Sequence, residues 1–467
     1  MPDDLEPTDP TPEPDPAAGL PPEIMDALRR MTGGAEFPPE VLRQFETMGI
    51  GSIPVEQLEG MMSQMRALFS GPDEGPLSPT IVSDVARQAL TGTGDASMGE
   101  RESTLAREAA HVADLWLGEI TSLEAPGLRG VALSRAEWIE DTLPVWREVV
   151  SPVAAGVTSA LGKAMTAQFS GGGFEAISQM LPAGTNPAAA IAQIGPMLER
   201  AGASMFSAQL GQGLAALAGE TLTGTEVSLP LTSEDTLALI PSNIAAFADG
   251  LEIDLEQVWL YLALREAARL RLFAGAAWLG PQILTAVQDY ARDIAIDTDG
   301  IEAALGQIDP TDPEALQRSL ADKLFAPAPT SAQQAALTRL ETWLALVEGW
   351  VDVVAEKAAG AHLPQAGALG ETVRRRRAIG GPAEKTFAGL VGLELRPRRL
   401  RDAANLFAAL ESSGGAAARD GAWGHPDVAP TAADLDDVLG YVERRGASPA
   451  DDGFDDALRA LLEGETP

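Results

Sequence analysis

Apolar positions recur at helical spacing along most of this chain, and they predict the order of its elements. Helices are expected over about 79–91, 99–121 and 134–167, the third opened by Ser134-Arg-Ala-Glu137, a capping-box sequence. A small-residue helix is expected over 193–219, where Gly211, Gly213 and Gly219 permit close approach of a neighbour. Glu226-Val-Ser-Leu-Pro-Leu and Thr236-Leu-Ala-Leu-Ile-Pro are the best strand candidates, each ended or interrupted by Pro. Asp254-Leu-Glu-Gln opens a further helix that runs to Phe273, and Ser331-Ala-Gln-Gln334 reads as the capping box of one that ends near Ala358. The pattern is mainly α, with a short β-sheet just ahead of the 254–273 helix.

The helix at 254–273 carries an anomaly. At about 100° per residue, Leu255, Val258, Trp259, Leu262, Leu272 and Phe273 share one face, and Arg265, Glu266 and Arg269 fall inside that same arc. Charged residues at i, i+1 and i+4 with Glu second have the spacing of H-E-x-x-H, in which two His hold a metal and the Glu handles protons. Both His positions are Arg here. The helix beginning near Ser331 presents Leu337, Leu340, Trp343, Leu344, Val347, Val351 and Val354 on one face, with Glu348 and Asp352 one turn apart at its edge.

Flanking segments differ in character. Residues 1–20 are acidic and Pro-rich, a composition that buries too little apolar surface to order itself, and read as a disordered tail. Residues 21–75 hold short amphipathic helices with Met61, Met62 and Met65 as core filling, residues 76–430 form the main helical domain, and 431–467 is an acidic C-terminal segment. The Gly-rich run Phe169-Ser-Gly-Gly-Gly-Phe174 lacks the Lys-Ser/Thr of a phosphate loop and reads as a plain loop.

Composition narrows the chemistry. The formal charge of −35 disfavours nucleic acid and anionic membranes as general partners. With no Cys, thiolate zinc sites, disulfides and cysteine nucleophiles are excluded, and the three His (His111, His362, His425) are scattered. No Gly-x-Ser-x-Gly elbow is present. No window reaches the roughly 18 uninterrupted apolar residues of a membrane span, and the acidic start lacks signal-peptide features, so a cytoplasmic protein is expected. Against the overall acidity, nine basic residues face two acids between Arg374 and Arg401. Arg374, Arg375, Arg376, Arg377, Arg396, Arg398, Arg399 and Arg401 are candidate anion-binding residues, or partners of the chain's own surplus carboxylates. Sparse aromatic residues weigh against a nucleic-acid surface.

Gly250-Leu-Glu-Ile-Asp-Leu-Glu-Gln-Val-Trp-Leu-Tyr-Leu-Ala-Leu-Arg-Glu-Ala-Ala and Ala345-Leu-Val-Glu-Gly-Trp-Val-Asp-Val-Val resemble segments of a zincin-like family of actinobacterial proteins labelled zinc-dependent metalloproteases or hydrolases. Trp138-Ile-Glu-Asp-Thr-Leu-Pro-Val-Trp, Gln209-Leu-Gly-Gln-Gly-Leu, Thr225-Glu-Val-Ser-Leu-Pro-Leu and Leu393-Glu-Leu-Arg-Pro-Arg-Arg-Leu-Arg extend the likeness over roughly 80–430. The resemblance implies an α+β zincin-like fold. In relatives with the full motif it implies two His on zinc, a Glu polarising water and a carboxylate ligand from the second helix. Residue by residue, Glu266 stands at the general base, Arg265 and Arg269 at the two His, Glu348 at the third ligand and Asp352 at a supporting carboxylate. Guanidinium offers no lone pair to a metal, so no cofactor is expected and the chain reads as a degenerate member that binds or scaffolds an unknown protein or peptide. The alternative is a zinc-dependent hydrolase cleaving a peptide or amide bond, with Glu266 as base and a nitrogen ligand such as His362 brought to Glu266 and Glu348. A third reading leaves the charges at the helix margin as an ordinary surface network. Oligomeric state is open.

Overall fold

The computed structural model describes residues 75–168, 187–294, 330–380, 385, 388, 392 and 397–446. The predicted tail at 1–20, nearly all of the small helical segment at 21–75, the Gly-rich turn at 169–174, Arg396 and the aspartates at 451–456 lie outside them. Two compact units divide the chain. Met1–Asp73 with Met165–Ala201 is described only at the adjoining ends of two helices, and Glu74–Ala164 with Gly202–Pro467 contains the remaining described elements.

The larger unit is mainly helical. Helices α1 (Pro79–Thr93) and α2 (Glu100–Gly118) lead to strand β1 (Arg129–Ala132), and α3 (Arg135–Gln168) and α4 (Pro187–Glu220) follow. Strand β2 (Thr236–Leu239) precedes α5 (Pro241–Ala248), α6 (Leu255–Gly275) and α7 (Leu279–Arg292). After the next described residue, Thr330, come α8 (Ser331–Gly360), α9 (Ala366–Ile379), α10 (Leu400–Asp420), α11 (Ala432–Asp436) and α12 (Val438–Gly446). Among the described residues no single helix is long and apolar enough to cross a membrane.

Most predicted helices form where the periodicity puts them, and their starts show why. Ser134 Oγ accepts from the Glu137 amide while Glu137 reaches back to the Ser134 amide, the reciprocal cap expected for α3. On α8 the cap is one residue earlier than expected: Thr330 Oγ1 accepts from the Gln333 amide and Gln333 returns the bond, so Ser331 is the first helical residue. Thr330→Ala is therefore expected to lower stability by about 1 kcal/mol in urea melts, and Ser331→Ala by a few tenths at most. The reverse ranking would restore the Ser331 cap.

The sheet departs from expectation. β2 forms at Thr236–Leu239, but its partner is Arg129–Ala132, running parallel with Arg129 opposite Thr236 and Ala132 opposite Leu239. Glu226–Leu231 is a buried turn instead of a strand, because Ser228 adopts φ 65° and Pro230 cannot donate to a ladder. Gly130 lets β1 lie against α2, since a Cβ there would overlap the Ala106 carbonyl. Gly211 likewise rests on the α1 backbone at Val82, whereas Gly219 faces open space. Helix α10 is broken at Gly414 and Gly415, the latter at φ 71°.

Helix α6 sits at the centre. Every residue from Val258 to Phe273 except Leu260 is buried, so the single apolar face drawn from the sequence is too narrow. It is sheathed by α2, α8, strand β2, α5 and α9, and a helix buried all round must carry apolar residues on every side unless its charges are paired.

Candidate functional site

Arg265, Glu266 and Arg269 have no margin to reach water. Their relative exposures are 1 %, 0 % and 2 %, and Glu348 and Asp352 on the facing helix α8 are at 0 % and 3 %. This excludes the ordinary surface network, and it also moves Glu348 and Asp352 from the edge of a stripe into the core. Helices α6 and α8 bring all five together because i, i+4 spacing places Arg265 with Arg269, and Glu348 with Asp352, on facing sides of the two helices.

The pairing is charge-assisted throughout. Arg265 donates from Nη2 to Glu348 Oε2 and from Nη1 to Asp352 Oδ1, both at 2.8 Å, so one guanidinium spans two carboxylates a helical turn apart. Arg269 donates from Nε to Glu348 Oε1 at 2.7 Å and from Nη1 to Glu266 Oε2 at 3.3 Å. Glu348 also accepts from Ser228 Oγ at 2.8 Å, and Arg377 Nε lies 3.9 Å from its Oε2. Glu266 accepts from Thr223 Oγ1 at 2.7 Å, Thr225 N at 2.8 Å and Thr225 Oγ1 at 2.9 Å. Asp352 is closed off by Arg374 Nη1 at 3.1 Å.

The loop between α4 and β2 supplies the hydroxyls. Its backbone is pinned by Gly224 N to Ala238 O and Ile240 N to Leu222 O, which set Thr223 and Thr225 over Glu266. Ser228 reaches Glu348 from a left-handed backbone that costs a non-glycine residue about 1 kcal/mol or more.

Protonation follows from these neighbours. Burial alone would push the Glu348 carboxyl up, but the guanidiniums of Arg269, Arg265 and Arg377 hold it far below the usual carboxylate range. Burial dominates at Glu266 and raises it above its ordinary value, against the opposing pull of Arg269, Thr223 and Thr225. Burial opposes the charge on Arg265, yet Glu348, Tyr261 and Asp352 keep the guanidinium more firmly protonated than usual.

The other sequence candidates fall in several places. Arg374 bridges Asp352 and Glu356, Arg375 pairs with Glu371, and Arg376 with Glu226 and the Glu220 carbonyl. Arg377 is buried beside Ser228 and Glu348. Arg398 pairs with Glu341, Arg399 with Asp402 and Asp436, and Arg401 is exposed. The basic segment is thus largely tied to acids of the same chain. The three His stay apart from the cluster: His362 is exposed and stacks on Trp116 at 4.2 Å, His111 is exposed, and His425 contacts Asp427 at the surface.

Sequence reasoning missed Thr223, Thr225 and Ser228, which a spacing argument on helices does not reach. It also missed a second buried centre. Asp420 accepts from Thr121 Oγ1, Ser122 N, Ser122 Oγ, Trp350 Nε1 and Arg419, tying the end of α10 to α8 and to the loop after α2. The signal was an Arg-Asp pair inside an otherwise apolar stretch, visible only once the helix end is known to be buried.

Among known proteins, a family model for zincin-like metallopeptidases matches residues 79–442. No curated protein matches the chain. The crystal structure of a candidate hydrolase with a novel fold from Chloroflexus aurantiacus superposes with a TM-score of 0.54 at 14 % identity, covering 80 % of this chain and 99 % of that one. At that identity the likeness concerns the fold.

Proposed function

Because the chain belongs to the zincin-like metallopeptidase family, the positions that carry two metal-binding His in intact relatives decide its chemistry, and we propose that here they have exchanged the metal for arginine, leaving a protein that binds without hydrolysing. The observation that carries this reading is the two-armed grip of Arg265 and Arg269 on Glu348, with both carboxylate oxygens engaged at 2.7–2.8 Å. The donor set does not fit zinc. A guanidinium presents N–H groups only and stays protonated, so neither Arg can ligate, and the carboxylate that would complete the site is already satisfied. The positive charge of an ion is replaced by two cations of the chain, which removes the cost of leaving carboxylates buried and unbalanced.

Glu266 fits the same reading. A general base must meet a water beside its carboxylate. Its two oxygens instead receive Thr223, Thr225 and Arg269.

Elemental analysis of the purified chain is expected to find zinc well below one equivalent, and peptide and amide substrates are expected to be cleaved no faster by the wild type than by Glu266→Gln. Stoichiometric zinc that disappears in a Glu266→Ala/Glu348→Ala double variant would overturn the proposal and restore the hydrolase.

A further inference from the structure

A cleft of about 190 Å³ opens one residue away from the buried cluster. Its walls come from the end of α4 (Leu217, Glu220, Thr221), the following loop (Glu226, Val227) and the end of α9 (Arg376, Arg377, Ile379, Gly380). Arg377 belongs to both places, lining the cleft and lying 3.9 Å from Glu348. The volume is below the roughly 300 Å³ at which drug-sized sites begin, so the space suits one residue-sized group.

Arg376 is built into this wall. Its Nε faces Glu226 Oε1 at 3.4 Å, its Nη2 donates to the Glu220 carbonyl, and its guanidinium carbon lies 5.8 Å from the centre of the Phe247 ring. Glu226 is fixed in turn by the Leu222 amide. The guanidinium is held from three sides, while Nη1 makes no hydrogen bond among the described residues and the side chain remains 34 % exposed. A cation oriented in advance, with one edge open beside Leu217, Val227 and Ile379, is the arrangement that recognises a carboxylate carried next to an apolar side chain. The neighbouring carboxylates of Glu220 and Glu226 set a limit on charge, since a second negative group on the ligand would meet like charge.

We infer that this cleft binds the carboxylate of a single apolar residue, with Arg376 Nη1 holding the carboxylate and Leu217, Val227 and Ile379 receiving the side chain. Two sources share that chemistry, a peptide C-terminus and a free amino acid. The inference rests on the binding role proposed above.

The test is calorimetric titration of the full chain with N-acetyl-leucine, N-acetyl-leucinamide, N-acetyl-glutamate, free leucine and a tripeptide ending in leucine. N-acetyl-leucine is expected to bind saturably, and the amide and the glutamate about ten-fold or more weaker. Arg376→Gln is expected to lose binding by a similar factor. Ile379→Asp, at a side chain 60 % exposed and so not needed for folding, should also weaken it. Tighter binding of the tripeptide than of leucine assigns the site to chain ends, and the reverse assigns it to the free amino acid. Equal binding of acid and amide, or no heat from any probe, overturns the inference. Zinc-dependent cleavage of the tripeptide would overturn the non-catalytic role while leaving an Arg376-dependent affinity intact, so the two failures are separable.

Discussion

Glu348→Ala is expected to be the most damaging single change in the cluster, lowering unfolding free energy by about 3–5 kcal/mol, because one carboxylate is shared by three guanidiniums. Its removal leaves Arg269 with Glu266 and Arg265 with Asp352, and takes from Arg377 the carboxylate that lies 3.9 Å from its Nε. Against a total stability of about 5–15 kcal/mol, a loss of that size brings the variant close to unfolding at ambient temperature. Urea melts measure it directly. The distinguishing result is partial rescue: Glu348→Ala combined with Arg269→Met should be more stable than the sum of the two single losses by about 0.5–3 kcal/mol, since the second change removes a cation that the first has stranded. Strict additivity would mean that the residues do not act as one cluster.

The second large effect is expected at Asp420. Asp420→Ala removes the acceptor of Trp350 Nε1, Thr121, Ser122 and Arg419 together, leaving Arg419 with Glu411 at 3.0 Å as its remaining carboxylate, and should cost about 3–5 kcal/mol at neutral pH. Burial would raise the Asp420 carboxyl, but Arg419 and the hydrogen bonds of Ser122 and Thr121 hold it below its ordinary value. The sign follows from linkage. An unfolded Asp titrates near pH ~3.9, so the stabilisation is fully present above about pH 5 and fades as pH falls through the lower folded value. The gap between wild type and variant should therefore shrink in melts run toward pH 3. Glu348 contributes with the same sign. Glu266 has the opposite one, because its raised carboxyl is easier to protonate in the folded chain, and acidification through that value relieves a cost. A wild-type to Asp420→Ala gap that stays constant from pH 7 to pH 3 would contradict the assignment of the low carboxyl to Asp420.

How much of this was legible in the sequence depends on the range of each interaction. The α6 and α8 helices and their charged positions follow from periodicity, and the family segments named the five residues that the structure brings together. Their burial did not follow, because a helical wheel assumes one core-facing side and α6 has neighbours all round. β2 was legible in Thr236-Leu-Ala-Leu, whereas its partner at Arg129–Ala132 lies more than 100 residues earlier in the chain and announces itself only by packing on α2. Glu226–Leu231 reads as a strand by composition, but the hydroxyl of Ser228 is wanted at Glu348, and a left-handed residue puts it there. Runs of arginine give charge without direction. Arg374 and Arg377 turn inward to Asp352 and Glu348 while Arg375 stays at the surface, and only the docking of α9 separates them.

The shared grip on Glu348 also couples the two arginine positions. Arg265→His alone would take one guanidinium from Glu348 and leave Asp352 to Arg374, and Arg269→His alone would take the other from Glu348 and leave Glu266 to the Thr223 and Thr225 donors. Either single exchange is expected to lower stability, and neither supplies a complete set of metal ligands. The two arginines are thus locked to each other through a shared carboxylate, so that neither position is free to change on its own.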